Sequence, residues 1–194
     1  MNKIIKNALI LTIITLVAGL GLGFVYENTK DPIAQAQDSA KKEAWQQVFP
    51  EASIDDFEAV DVDTEAAEEA VESLGINAVI DEVCVVNGGD DGYVITATDK
   101  EGYGGDIQIT VGITSDGTVN GISILSISET AGLGMRATEP EFQAQYEGKQ
   151  TDKFVVSKDG GDGEPIDALS GATITSRAVT GAVNAALAYY QNAF

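Results

Sequence analysis

Asp167-Ala168-Leu169-Ser170-Gly171-Ala172-Thr173-Ile174-Thr175-Ser176 runs straight into Arg177–Tyr190, a stretch with helical spacing. The ten residues hold one acid, four hydroxyls and a glycine. In the helical stretch the larger apolar residues Val179, Val183, Leu187 and Tyr190 share one face, and Gly181 is the single weak point. Ser176 or Thr175 suits the N-cap. A glycine turn that feeds a helix N-terminus presents unpaired N–H groups and the positive end of the dipole, which favours a phosphate. A threonine placed there can bond to the phosphate or be esterified by it. Ser, Thr and Gly ahead of a helix are also ordinary capping chemistry, and spacing alone does not separate the two.

Upstream the chain turns β-rich. Ala78–Val86, Gly92–Thr98, Gly104–Ile113 and Thr118–Ile127 alternate and are enriched in β-branched residues, which predicts four strands. Asn87–Gly92, Asp99–Gly102 and Ser115-Asp116-Gly117 between them are turn sequences, the last closing a hairpin. Asp90 and Asp91 lack the spacing and terminal glutamate of a calcium loop and read as turn.

The first residues have a different character. Lys3 and Lys6 precede the uncharged run Asn7–Tyr26, of which the 19 residues Ala8–Tyr26 would span about 28 Å as a helix. A signal peptide competes, but no small-x-small site closes the run, and Cys84 lies too far away to accept a lipid. The run reads as a retained single-span anchor. Lys3 and Lys6 favour a cytoplasmic N-terminus, although Lys30, Lys41 and Lys42 reduce the asymmetry. Asp31–Phe49 reads as a second helix, with Pro32 near its start and Pro50 closing it, and Trp45 and Phe49 available to dock on the domain. Glu51–Glu72 holds ten acids and no base, scattered through Ala and Val, which suits a solvated helix–loop segment better than a cation site.

Composition narrows the chemistry. A net charge of -20 and a pI near 4.1 are wrong for nucleic acid or an anionic surface. The chain has no histidine, which excludes Ser-His-Asp catalysis and histidine-ligated metal. A lone cysteine, Cys84, cannot build an iron–sulfur or thiolate zinc site within this chain and reads as a buried small hydrophobe. No catalytic residue and no metal ligand is assigned. Redox work would need an organic cofactor.

Asp167-x-x-Ser170-Gly171-Ala172-Thr173 resembles the flavinylation motif of the FMN-binding domain family, found in the C and G subunits of the Nqr and Rnf respiratory complexes. A second cluster, Ser128-Glu129-Thr130-Ala131-Gly132-Leu133-Gly134, resembles that family's Glu-Thr-Pro-Gly-Leu-Gly loop, with Ala131 where proline is usual. With Gly102-Tyr103-Gly104-Gly105-Asp106, the resemblance covers roughly Gly92 to Val183. The length and Gly102–Val111 resemble the G subunit of Rnf more than the longer C subunit of Nqr.

The resemblance implies FMN held covalently through a phosphoester on Thr173, attached by a flavin transferase from FAD. It also implies a cofactor neighbourhood of Asp167, Ser170, Gly171, Ala172, Thr175, Glu129, Thr130, Leu133 and Gly134, with Leu133 against the ring. Asp167 would place a metal, take the threonine proton or cap the turn, and Arg177 would pair with the phosphate or face solvent. The expected fold is α+β: a single transmembrane helix (1–27), a membrane-proximal helical and acidic segment (28–77), and an extracytoplasmic FMN-binding domain (78–194) with an antiparallel sheet and flanking helices. The expected role is electron relay in the cell (inner) membrane, within an ion-translocating ferredoxin:NAD oxidoreductase complex. Partners would be its other subunits, the transferase and the membrane. A stand-alone extracytoplasmic flavin reductase and a non-redox tethered scaffold are the rival classes.

Overall fold

The computed structural model describes residues 3–194. The chain divides into two compact units between Ala40 and Lys41. Helix α1 (Lys3–Val48) is continuous and contains Pro32. The expected second helix at Asp31–Phe49 is therefore the continuation of the first. Proline's fixed φ is helical, and what it removes is one N–H donor. The turn before it is reinforced by side chains: the Asn28 amide donates to the Phe24 carbonyl at 2.7 Å and the Thr29 hydroxyl to the Val25 carbonyl at 2.9 Å. Pro50 lies just past the end, as expected.

The N-terminal part of α1 holds a window of mean hydropathy 2.5, none of it buried, long and apolar enough to cross a bilayer. Its two hydroxyls are internally satisfied. Thr12 donates to the Ala8 carbonyl at 2.9 Å and Thr15 to the Leu11 carbonyl at 3.1 Å, so neither would bring an unmade hydrogen bond into hydrocarbon.

The second unit is built on an antiparallel sheet of six strands in sequential order: β1 (Phe57–Val60), β2 (Ala78–Val86), β3 (Gly92–Asp99), β4 (Ile107–Thr114), β5 (Thr118–Ser126) and β6 (Lys149–Gln150). A parallel pair, β7 (Phe154–Val156) and β8 (Glu164–Ile166), forms a separate small sheet. Helices α2 (Thr64–Leu74), α3 (Pro140–Gln143) and α4 (Thr173–Ala193) complete the unit. The third expected strand starts at Ile107 rather than Gly104. Gly105 takes φ +126°, and the Gly104 N–H leaves the ladder for the Glu129 carboxylate. The strand expected to reach Ile127 ends at Ser126.

Alternation along the strands splits the buried residues between two faces. Val83, Ile95, Ile109 and Val111 belong to the cluster that contains Val179, Ala182, Val183 and Ala186 of α4 and Ala66 and Ala70 of α2. Cys84, Val86 and Val94 point the other way, into a smaller cluster with Val48 and Phe49 at the end of α1. There Trp45 stacks on Phe57 at 5.6 Å, and Ser123 donates to Gln47 at 2.6 Å. Gly112 makes the approach possible, since a Cβ on it would sit 2.8 Å from the Val48 Cβ. Burial pushes the Cys84 thiol up to about 12, as suits an inert small hydrophobe. The acidic segment resolves into β1 and α2. Asp63 caps α2 by accepting the Glu65 and Ala66 N–H groups, and Glu65, Glu68, Glu69 and Glu72 are exposed.

Asp99, at the end of β3, is buried against α4 and accepts the Glu101 N–H at 2.8 Å. Gly181 answers it from the helix, because a Cβ there would collide with the carboxylate. Burial first, then neighbouring Glu101 and Asp106, raise Asp99 from 3.8 to about 6, against the pull of the Glu101 N–H. Between those two values the folded chain holds a proton that the unfolded chain has lost, so this residue's contribution to stability falls as pH rises through the window. Asp99→Asn keeps an oxygen for the Glu101 N–H and cannot ionise. Its urea midpoint relative to the parent chain is expected to be higher at pH 7.5 than at pH 4. A difference that stays flat across that range would contradict the assignment.

Candidate functional site

A cavity of about 540 Å³ opens where three distant segments converge: Tyr103 from the β3–β4 loop, Glu129–Gly134 after β5, and Gly171–Thr175 at the start of α4. The size lies in the range of small-molecule sites. Of the residues expected to surround a cofactor, Glu129, Thr130, Leu133, Gly134, Gly171, Ala172, Thr173 and Thr175 line it. Asp167 and Ser170 do not, and lie instead in an adjoining cleft of about 220 Å³ beside Arg136 and Glu139.

Glycines set the walls. The loop after β5 turns on the Thr130 carbonyl, which accepts the Leu133 N–H at 3.1 Å and the Met135 N–H at 3.2 Å, with Gly132 at φ +74°. This closure makes no use of a proline, so Ala131 serves at its position. Gly134 lets the loop press onto the helix: a Cβ there would lie 2.6 Å from the Thr175 hydroxyl and 2.7 Å from Glu129 Oε2. Glu129 is buried and accepts the Gly104 N–H through Oε1 at 3.1 Å. At the rim, Gly171 in left-handed backbone (φ +77°) leaves 3.2 Å between a would-be Cβ and Leu133 Cδ2. Tyr103, Leu133 and Ile174 give the cavity an exposed apolar edge.

The helix begins earlier than the capping pattern predicts. Thr173 is its first residue, Ala172 occupies the cap position without a side-chain bond, and Thr175 and Ser176 are buried within the first turn. The Ser176 hydroxyl explains the shift. It accepts the Leu169 N–H and donates to the Ala172 carbonyl, both at 3.0 Å, and so ties the turn from inside. Thr173 is half-buried, with its Oγ1 3.5 Å from Lys158 Nζ. Ser176 makes the first helical backbone bond, to the Ala172 carbonyl at 3.0 Å, so the N–H groups of Thr173, Ile174 and Thr175 have no acceptor one turn back.

Asp167 neither caps this turn nor faces the cavity. Its N–H donates to Gln145 Oε1 at 2.7 Å and its carboxylate accepts the Ser157 hydroxyl at 3.1 Å. Arg177 is exposed, as one of its two expected placements has it, and forms a bidentate pair with Asp159, with Nε to Oδ2 at 2.7 Å. The pair holds the Asp159 carboxyl below the usual carboxylate value. Sequence reading left out Ile174 and Lys158 as site residues, and Tyr103 as a wall. Tyr103 was visible as an aromatic between glycines. Lys158 carries no local signal, since only the tertiary fold brings it to Thr173.

The donor set fits a flavin nucleotide. An apolar slot edged by Tyr103, Leu133 and Ile174 suits a planar ring. The start of α4 with Lys158 suits a phosphate, and Thr173 stands between them. Residues 102–188 match the family model of an FMN-binding domain. Residues 1–48 match a second family model, the RnfG N-terminal region.

The G subunit of the Na(+)-translocating ferredoxin:NAD(+) oxidoreductase complex of Acetobacterium woodii is 35% identical over 202 residues, covering 97% of this chain and 92% of that protein. The G subunit of the ion-translocating oxidoreductase complex of Methanosarcina acetivorans is 33% identical over 192 residues, covering 97% and 95%. Among solved structures, Shewanella oneidensis NqrC aligns with 57% of this chain and 58% of its own at 26% identity, with a TM-score of 0.45. The chain belongs to the G-subunit family of ion-translocating oxidoreductase complexes.

The crowding around Gly134 is testable. Gly134→Val is expected to cost about 1–3 kcal/mol, because the new side chain must displace Glu129 or Thr175. Chemical denaturation reads this as a lowered midpoint. An unchanged midpoint would mean that the wall yields freely.

Proposed function

We propose that this chain is the membrane-anchored, electron-relaying G subunit of an ion-translocating ferredoxin:NAD oxidoreductase complex, with FMN attached through a phosphoester to Thr173. The observation that carries the attachment site is the placement of four hydroxyls. Thr175 and Ser176 are buried, and Ser170 lies in the neighbouring cleft. Thr173 lines the cavity, half-buried, at the first position of α4. Family membership favours a relay within a complex over a stand-alone reductase or a scaffold.

When bound, FMN supplies electron storage and transfer, which the side chains of this protein cannot supply. The chain's own residues do the holding. Leu133 and Tyr103 would bracket the ring, Gly134 and Gly171 would admit it to the backbone, and the first turn of α4 would hold the phosphate. Glu129 and Thr130 fix the loop that forms one wall, and Thr175 the floor. In loading, a transient transferase uses FAD: the Thr173 oxygen bonds to phosphorus, the pyrophosphate linkage breaks and AMP leaves. Functionally, 1–27 is the anchor, 28–77 the membrane-proximal segment and 78–194 the FMN-binding domain. Lys3 and Lys6 face the cytoplasm and the FMN domain lies across the membrane.

Chain co-produced with the transferase is expected to give a fluorescent band on a denaturing gel and an intact mass raised by one FMN. Thr173→Ala should abolish both signals, and Thr175→Ala should keep them. Fluorescence that survives in Thr173→Ala but not in Thr175→Ala would move the attachment site, and none in the parent chain would sink covalent attachment. For orientation, alkaline phosphatase fused after Phe194 is expected to be active in intact bacterial cells. An inactive fusion at normal abundance would place the domain in the cytoplasm.

A further inference from the structure

We propose that Lys158 is the counter-charge of the phosphate joined to Thr173, a role that rests on the attachment proposed above. Three consecutive side chains of the turn after β7 reach the motif and the first turns of α4 that follow it. Ser157 donates to Asp167 at 3.1 Å, Lys158 Nζ lies 3.5 Å from Thr173 Oγ1, and Asp159 takes Arg177 in a bidentate pair. The turn is also tied through its backbone: the Ser157 N–H donates to the Ile166 carbonyl and the Asp159 N–H to the Val156 carbonyl, each at 2.8 Å. β7 and β8 pair Val156 with Ile166 immediately before the turn and the motif. Lys158 is exposed, yet the residues on either side of it fix where its stem begins.

Charge gives the placement its meaning. A cation beside a helix N-terminus is repelled by the dipole unless an anion stands between them. Two cations of this acidic chain sit at the start of α4. Arg177 is balanced by Asp159, whereas Lys158 donates to a neutral hydroxyl. A phosphate on that hydroxyl completes the arrangement, with the ammonium as a point charge on one side and the first-turn N–H groups on the other. During loading the Thr173 oxygen–phosphorus bond forms, and the pyrophosphate bond of FAD breaks. AMP leaves with the bonding pair, and the hydroxyl proton passes to solvent. The Lys158 ammonium stabilises the added negative charge.

The test uses the full chain in detergent, with purified flavin transferase, FAD and Mg²⁺, followed by intact mass and ³¹P NMR. Lys158→Gln is expected to take up FMN on the order of tenfold more slowly than the parent chain, as befits loss of a charge-assisted hydrogen bond. Lys158→Arg should stay within about threefold, and both variants should melt with the parent because the side chain is exposed. The ³¹P resonance of the loaded Lys158→Gln chain should move away from that of the loaded parent. Uptake within twofold of the parent would overturn the proposal. So would slow uptake with an unmoved resonance, because the lysine would then serve the transferase surface and not the phosphate. A parent chain that takes up no FMN would instead overturn the attachment at Thr173, a separate and recognisable failure.

Discussion

Everything at the candidate site depends on a close approach of backbones around one buried carboxylate. Glu129 accepts the Gly104 N–H, and Gly102 and Gly134 stand so near its two oxygens that a Cβ on either would fall within about 3 Å. A buried carboxylate without partners would cost several kcal/mol. Here it fastens the β3–β4 loop to the loop after β5, while Gly134 presses that second loop onto Thr175 of α4. Three segments far apart in sequence thereby become walls of one cavity. Their loops could not hold such a shape alone, because each has few contacts of its own.

The platform beneath is a division of labour between helix and sheet. α4 buries Ala178, Ala182, Ala185 and Ala186 with Val179 and Val183. Small residues let its backbone lie close to β3 and β4, and Gly181 leaves room for the Asp99 carboxylate. That closeness fixes the helix along its length, and a fixed helix is what gives its first turn a defined position. The opposite face of the sheet is covered by the end of α1, seated over Gly112. β3, in the middle of the sheet and covered on both faces, is buried almost throughout.

Much of this was legible in the sequence. β2 is recovered residue for residue, and β3 to β5 to within a few residues, because β-branched alternation bounded by Gly and Asp turns is a strong signal. β1 and α2 were not resolved within Glu51–Glu72, where acids dilute the apolar pattern and the deciding contacts come from α4 and β2. Pro32 suggested a helix start because local chemistry cannot show whether a preceding turn continues through it. Ser176 resembled a cap and proved to be an internal tie, a difference set by the Leu169 N–H that folds back onto it. The convergence of 129–134 with 171–175 follows from tertiary structure, and only a family resemblance carried it in advance. Lys158 had neither kind of signal.

The acidity of the chain gives the attachment chemistry a further rationale. A net charge of -20 repels any free anion that approaches the domain. At physiological ionic strength that field is screened over about 8 Å, so the affinity of a phosphate rests on the groups that touch it. In the proposed site those would be the dipole of α4 and an exposed lysine, each worth only a modest amount when open to water. Such a set can orient a phosphate well while holding it weakly. A cofactor that must stay in place through many redox cycles needs more than that. The proposed ester on Thr173 removes dissociation from the problem and leaves the surrounding residues to govern the position of the flavin alone.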